Sequence, residues 1–242
     1  MAFLQSHPPR QPIFRTPLVV PALIGVLAAL HALRAYAPPA LSQDIIYEYA
    51  LIPARYSRAF LESHMADPGT VWERAVPFLS YMGLHNDWTH LVVNGAFLLA
   101  FGPIVARRFG TVLFMLFFAV CGLSGAFAYL ALNWGSAIPV VGASGAISGL
   151  MAAALRMLPG QAPWAQPGTA PLAPLFSRQL LVFTAIWAAI NFAGSRGFMI
   201  GPAPDSGAIA WQAHLGGYVA GLLLCGPFDA LRPREVGLPV DH

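Results

Sequence analysis

A serine surrounded by small residues is the first place where this sequence could do chemistry. Ser144 lies within the stretch Val140-Val-Gly-Ala-Ser-Gly-Ala-Ile-Ser-Gly149. A serine hydroxyl becomes an effective nucleophile when a neighbouring base accepts its proton. Gly145 and Gly149, however, also have the GxxxG spacing that lets two membrane helices approach closely. Taken alone, this stretch therefore favours a helix-packing face over an active site.

A histidine far along the chain supplies a candidate base. His214 lies one turn before a second GxxxG pair, Gly217 and Gly221. Two helices with such faces can pack almost backbone to backbone, which would bring His214 within hydrogen-bonding reach of Ser144 Oγ. An imidazole, with a pKa of about 6.5, is suited to accept a serine proton at neutral pH. The structural alternative is a histidine hydrogen-bonded within a helix bundle.

A third polar group, His90 and Asn94, could stabilise an oxyanion. The two residues are four positions apart and therefore share one face of a helix. Both can donate hydrogen bonds to the oxyanion of a tetrahedral intermediate, and the backbone N–H of Ser144 would be a third donor. For Asn94 the alternative is an interhelical hydrogen bond. His85 lies off this face and is predicted to organise the preceding loop.

Metal binding is the main rival use of these histidines. His85, His90 and His214 could act as ligands, but their spacing is uncommon for zinc and no cysteine or carboxylate lies at a useful interval. We therefore predict no metal site from these histidines. No acidic residue falls within a predicted membrane span before Asp229, so the sequence predicts a Ser-His dyad without a third member.

The composition indicates that this chemistry takes place in a lipid bilayer. Of the 242 residues, 57% are hydrophobic and 10% are charged, which is too little polar surface for a soluble globule. Six segments approach the roughly 20 apolar residues that a membrane span needs. They are Pro17–Tyr36, Trp88–Ala106, Thr111–Asn133, Val140–Met157, Leu180–Gly194 and Ala208–Pro227. His90, Asn94 and Asn191 interrupt two of them, and such residues usually face a bundle interior or a water-filled cavity.

The expected fold is an all-α membrane protein with a bundle of six transmembrane helices. Residues 17–227 form this domain, with a long first loop, 37–87, outside; residues 1–16 and 228–242 are predicted to be cytoplasmic. This orientation places eight of the thirteen basic residues on the inner face. The net charge of +3 is spread along the chain without a basic stripe, so nucleic acid is not an expected partner. Every basic residue is Arg, which is typical of a GC-rich bacterial gene, and the expected location is the bacterial inner membrane.

The order of these motifs resembles the rhomboid family of intramembrane serine proteases. The likeness extends from about Pro77 to Gly226 and rests on three pieces: His85…His90…Asn94, then Gly142-Ala-Ser144-Gly145, then His214 before Gly216-Gly217. The resemblance implies a water-filled active site that lies below the membrane surface and opens to the outside. It also implies that the substrates are transmembrane proteins, cut near their outer ends, often after a small residue, without a metal or a cofactor.

The resemblance also assigns roles to the residues of the three motifs. Ser144 is implied to be the nucleophile and His214 the general base and acid. His90, Asn94 and the Ser144 N–H are implied to form the oxyanion site. Cavity or structural roles fall to five residues: His85, Gly142, Gly145, Gly217 and Tyr218. Two other functions stay open: a non-catalytic rhomboid-like protein that binds membrane helices, and a small transporter or channel with a histidine proton relay.

The sequence departs from the family pattern at three places. Val76-Pro77 replaces a Trp-Arg pair that is frequent in the first loop. Ala106 stands where a glutamate commonly lies four residues before the glycine that closes the second span. Ser148 occupies the position at which some members carry a tyrosine stacked on the catalytic histidine. None of these changes affects the two residues of the predicted dyad.

Overall fold

The computed structural model describes residues 16–158, 170–196 and 210–232, and within these ranges the chain is helical and contains no β-strand. The all-α prediction is confirmed for this part of the chain. The helices are α1 (Val19–Ala35), α2 (Pro39–Tyr49), α3 (Arg58–Ser63), α4 (Val71–Ala75), α5 (Pro77–Ser80), α6 (Trp88–Leu132), α7 (Ser144–Met157), α8 (Arg178–Ser195) and α9 (Trp211–Ala230). Two short 3₁₀ turns, Pro53–Tyr56 and Tyr81–Gly83, complete the described elements.

Helix α6 contains two of the predicted membrane spans. It has 45 residues, and its backbone leaves helical geometry at Gly110, where φ is 74° and ψ is 171°. Glycine adopts this positive φ without the steric cost that other residues meet. Two arms, 88–109 and 111–132, therefore meet at the break that the sequence predicted. Among the described helices, α6 alone is long and apolar enough to cross a membrane, and α1 is apolar but shorter. The six-span bundle is not established by these helices and stays a prediction.

The core is formed by α6, α7 and α9. Eleven of the 14 residues of α7 are buried, because its small side chains allow neighbouring helices to approach from both sides. A Cβ atom at Gly217 would overlap the carbonyl oxygen of Gly145, and one at Gly221 would overlap that of Gly149. The backbones of α7 and α9 thus touch at two successive turns, as the paired GxxxG spacings predicted.

The long first loop is folded against the segment that precedes α7. Leu51 and Val140 exchange two backbone hydrogen bonds, 3.2 Å and 2.9 Å long. The N–H of Gly142 donates to the carbonyl of Tyr81 at 2.9 Å, and the buried Tyr81 hydroxyl donates to Gly122 O at 2.8 Å. Helix α2 ends at Tyr49, because the chain must become extended to pair Leu51 with Val140.

Helix α8 lies at the periphery. Only Leu180 and Gly194 of its 18 residues are buried. It extends one or two residues beyond both predicted ends, and α9 continues past its predicted end to Ala230. Residues 1–15 of the predicted N-terminal segment 1–16 and most of the predicted tail 228–242 lie outside the described residues.

Candidate active site

Ser144 is the first residue of α7. The preceding Gly142 has φ +121°, a conformation that suits glycine and lets the chain turn sharply into the helix. Ala143 occupies the N-cap position and makes no side-chain cap hydrogen bond. The backbone N–H groups at this helix end are therefore not capped by a side chain, and the positive end of the helix dipole lies at Ser144.

The imidazole of His214 faces the Ser144 hydroxyl. His214 Nε2 lies 2.7 Å from Ser144 Oγ, across 70 residues of sequence. The contact depends on the close approach of the two helices. Gly145 directly follows Ser144, Gly217 lies three positions after His214, and the backbones of these two glycines touch. Both side chains are half-buried. A serine is activated as a nucleophile when a base lies within hydrogen-bonding distance of its hydroxyl, and this arrangement is present here.

The opposite side of the His214 ring contacts Asn191 on α8. His214 Nδ1 lies 2.6 Å from Asn191 Oδ1, and Asn191 Nδ2 donates to the carbonyl of Trp187 at 2.9 Å. The sequence-based dyad did not include Asn191. The available signal was its position as a polar residue in an apolar helix, which usually faces the protein interior.

His90 and Asn94 lie against the backbone that leads into Ser144. A Cβ atom on Gly142 would be 2.8 Å from His90 Cε1, 2.9 Å from His90 Nε2 and 3.6 Å from Asn94 Nδ2. The backbone N–H of Asn86 donates to His90 Nδ1 at 3.4 Å, so in the neutral ring Nε2 carries the proton. Asn94 Nδ2 is buried and has no hydrogen-bond partner among the described residues. Two side chains with N–H donors thus lie beside Gly142, two residues before Ser144.

His85 is buried and packs against His90. The ring centroids of His85 and His90 are 5.1 Å apart, and a further buried histidine, His31 of α1, lies 6.3 Å from His85. Neither ring nitrogen of His85 has a hydrogen-bond partner within the described part of the chain. Burial, with a smaller contribution from the neighbouring His90, His31 and Arg34, lowers the pKa of His85 to about 3. His85 is therefore neutral and supports the loop.

Arg34 anchors the segment that carries His85. Its Nη2 donates to His85 O at 2.6 Å and to Asn86 O at 3.0 Å, and its Nη1 donates to Ser42 Oγ at 3.2 Å. Charge-assisted hydrogen bonds to backbone carbonyls are among the stronger ones in proteins. The first loop is thus held from the end of α1, although Val76-Pro77 replaces the Trp-Arg pair.

Tyr218 contacts α8 instead of the His214 ring. It stacks on Trp187 with centroids 4.2 Å apart and an interplanar angle of 15°, and its hydroxyl shares a 2.7 Å hydrogen bond with Thr184. Ser148 donates its hydroxyl to the carbonyl of Ser144 at 2.8 Å. A tyrosine stacked on the histidine is therefore not a feature of this site.

The described residues contain no group of three or more His, Cys, Asp or Glu side chains arranged to hold a metal ion. The rings of His85 and His90 are in contact, whereas the His214 ring contacts Ser144 and Asn191. The site therefore consists of a serine–imidazole pair with amide and imidazole N–H groups around it.

The fold and the site together define a helical protein in whose core a serine hydroxyl lies at hydrogen-bonding distance from an imidazole. The family model of the rhomboid domain matches residues 68–228, which is more than half of the chain. The chain therefore belongs to the rhomboid family, and it is a membrane protein. Most members of the family are intramembrane serine proteases, and non-catalytic members exist. Among curated protein sequences, none matches the chain.

Proposed function

We propose that this protein is an intramembrane serine endopeptidase that cleaves transmembrane segments of other membrane proteins. The observation that carries the proposal is the 2.7 Å separation of His214 Nε2 and Ser144 Oγ. Membership of the rhomboid family supports it, and both residues of the proposed dyad are present. A non-catalytic member would have no need to retain a serine and a base in this relation.

In the proposed reaction, His214 Nε2 accepts the Ser144 proton as Oγ attacks the scissile carbonyl. The carbonyl oxygen gains negative charge and is stabilised by His90 Nε2–H, Asn94 Nδ2–H and the Ser144 N–H. His214 then gives its proton to the leaving amine, which departs as the acyl-enzyme forms. Water that enters from the outer face hydrolyses the ester by the same proton transfers in reverse order.

The proposed setting is the bacterial inner membrane with both termini in the cytoplasm. Residues 17–227 form six spans, with loop 37–87 on the outside and segments 1–16 and 228–242 inside. Each arm of α6 has about 22 residues and, at 1.5 Å per residue, is about 33 Å long, which matches the hydrocarbon thickness of a bilayer. The excess of arginine on the inner face supports this orientation.

The proposed substrates are single transmembrane helices whose helical structure has low stability near the outer end. A helix must unwind locally before its scissile carbonyl reaches Ser144, because the carbonyl is otherwise engaged in a backbone hydrogen bond. Gly and Ser lower helix stability, and small residues including Ala fit a narrow site. Substrates with such residues near the outer boundary should therefore be preferred.

The test compares the wild-type protein with Ser144→Ala and His214→Ala in detergent, using a single-span substrate with small residues near its outer end. Cleavage should be lost in both variants. Ser124→Ala is the matched control, because the Ser124 hydroxyl lies in the same core but bonds only to the carbonyl of Val120 in its own helix. This control should retain wild-type activity.

A fluorophosphonate probe gives an independent readout, since it labels an activated serine without a substrate helix. Wild type should be labelled, and Ser144→Ala should not. If wild type neither cleaves the substrate nor reacts with the probe, the protease proposal fails. A rhomboid-like protein that binds membrane helices without cleaving them would then be the better account.

A further inference from the structure

Helix α8 presents one polar stripe to α9. Thr184, Trp187 and Asn191 are separated by three and four residues and therefore share a helix face. Thr184 and Trp187 both contact Tyr218, whereas Asn191 contacts His214. Two positions of the stripe thus join the helices, and the third reaches the proposed base.

The hydrogen bonds of Asn191 fix the direction of its amide group. The carbonyl of Trp187 can only accept, so the amide nitrogen of Asn191 must face it, at 2.9 Å. The amide oxygen therefore faces His214 Nδ1, at 2.6 Å. Because this oxygen can only accept, Nδ1 must carry a proton.

A protonated Nδ1 leaves Nε2 of the neutral ring with a free lone pair. That lone pair faces Ser144 Oγ at 2.7 Å, which is the tautomer that a general base needs. In the other tautomer, Nε2–H would point at the serine and no proton could be accepted there. The chain of contacts from Trp187 O through Asn191 to His214 therefore selects the competent form of the ring.

We propose that Asn191 is a positioning residue that holds the tautomer and ring orientation of His214. This inference rests on the proposed protease function and adds a third member to the Ser144–His214 pair. When Nε2 takes the serine proton, the imidazolium donates from both nitrogens, and Asn191 Oδ1 continues to accept from Nδ1. The amide does this without a formal charge, which suits a helix that faces lipid over most of its surface.

Docking of α8 does not depend on Asn191 alone. Trp187 stacks on Tyr218, and Thr184 bonds the Tyr218 hydroxyl one to two turns away. A change at Asn191 that keeps the side-chain volume therefore leaves these contacts in place. The leucine side chain in Asn191→Leu has nearly the same shape as asparagine but cannot accept a hydrogen bond. The aspartate in Asn191→Asp keeps an oxygen that can accept one from His214 Nδ1.

The kinetic experiment measures kcat, KM and the rate of fluorophosphonate labelling for Asn191→Leu and Asn191→Asp. Asn191→Leu should lower kcat and the labelling rate by roughly tenfold to a hundredfold, with KM within about twofold of wild type. Asn191→Asp should recover most of both rates. The matched control is Thr184→Val, which removes the other side-chain hydrogen bond between the same helices and should keep both rates within about threefold.

The second experiment observes the tautomer directly by ¹⁵N NMR of histidine-labelled protein. The His214 signals are assigned by comparison with His214→Gln. In wild type and Asn191→Asp, Nδ1 should carry the proton, and in Asn191→Leu a substantial population should carry it on Nε2. This readout does not require proteolysis.

These measurements separate the two proposals. If Asn191→Leu keeps the wild-type tautomer and labelling rate, Asn191 has no positioning role. The same conclusion follows if Thr184→Val slows labelling as much as Asn191→Leu does, since α8 docking would then account for both. If wild type neither cleaves nor labels but Asn191→Leu still changes the tautomer, the protease proposal fails while the positioning of His214 by Asn191 stands.

Discussion

Arg108 and Asp229 form a two-pronged ion pair between residues that are 121 positions apart in the sequence. Arg108 Nε lies 2.6 Å from one carboxylate oxygen and Nη2 lies 2.8 Å from the other. Arg108 Nη1 also donates to the carbonyl of Ala170 at 2.8 Å. The arginine side chain is only 3% exposed. The pair therefore fastens the end of the first arm of α6 to the end of α9.

Removal of one partner should destabilise the protein more than replacement of both. Asp229→Ala leaves a buried guanidinium without its carboxylate, and a loss of about 3–5 kcal/mol is typical of such a change. The double variant Arg108→Met with Asp229→Leu leaves no buried charge unpaired and should lose less, although the partly exposed Arg232 loses its 3.4 Å contact with Asp229. The thermal midpoint in detergent measures both effects. Arg58→Ala is the control, because the pair of Arg58 with Glu62 is exposed and should contribute little. A double variant that is less stable than Asp229→Ala would contradict this account.

Gly217→Ala should disrupt the packing of α7 against α9. The new methyl group would overlap the carbonyl oxygen of Gly145, and a backbone atom cannot move aside as a flexible side chain can. We expect a lower thermal midpoint and loss of substrate cleavage, because Ser144 and His214 are positioned by this contact. Gly25→Ala in α1 is the matched control, since a Cβ there would meet nothing within 4 Å. Equal stability of the two variants would show that the helices are less closely packed than the structure indicates.

Asn94→Ala should reduce catalysis without a comparable loss of stability. Loss of one oxyanion donor typically lowers kcat by about 100-fold to 1,000-fold. The amide nitrogen of Asn94 has no partner among the described residues, so its removal breaks no hydrogen bond there. Steady-state kinetics with a transmembrane substrate tests this, and Val93→Ala, at a half-exposed position of the same helix, is the control. A normal kcat with a lower thermal midpoint would instead assign Asn94 to helix packing.

The stability of the protein should fall as the pH drops below 6.5, in part because of His85. The folded protein keeps His85 neutral down to about pH 3, whereas the unfolded chain accepts a proton near pH 6.5. Between these values the unfolded state binds more protons, so acid favours unfolding. From pH 7.5 to pH 4.5 this one residue should contribute a loss on the order of 2–3 kcal/mol.

Thermal midpoints of wild type and His85→Leu at the two pH values measure this contribution. The variant should lose less stability in acid, because leucine takes no proton. His64→Ala serves as the control, since His64 is exposed, and it should follow wild type. If His85→Leu loses as much stability as wild type on acidification, His85 is not the group responsible.

The approach of Ser144 to His214 was predictable because local patterns specify it. Each residue lies beside glycines at GxxxG spacing, and such pairs bring helices together whatever the rest of the fold does. The break at Gly110 was likewise visible as a short interruption between two apolar segments. The catalytic roles of Ser144 and His214, in contrast, stay predictions until activity is measured.

Other features depend on long-range geometry that no local pattern records. The contact of Asn191 with His214 requires a particular rotation of α8 about its own axis, and that rotation depends on how α8 packs against α7 and α9. The Arg108–Asp229 pair joins the ends of distant helices, and Asp229 was seen in the sequence only as the first acidic residue after the spans. The end of α2 at Tyr49 follows from the pairing of Leu51 with Val140, which is also a non-local contact.

The peripheral position of α8 has a consequence for how this sequence can evolve. Its outward side chains, among them Leu181, Ile186 and Ile190, are about half exposed. These side chains are not constrained by packing inside the described structure, so many apolar replacements should be neutral and accumulate by drift. The buried glycines between α7 and α9 have no such freedom. The same chain therefore combines an interface that tolerates few substitutions with a helix whose outer surface can vary widely.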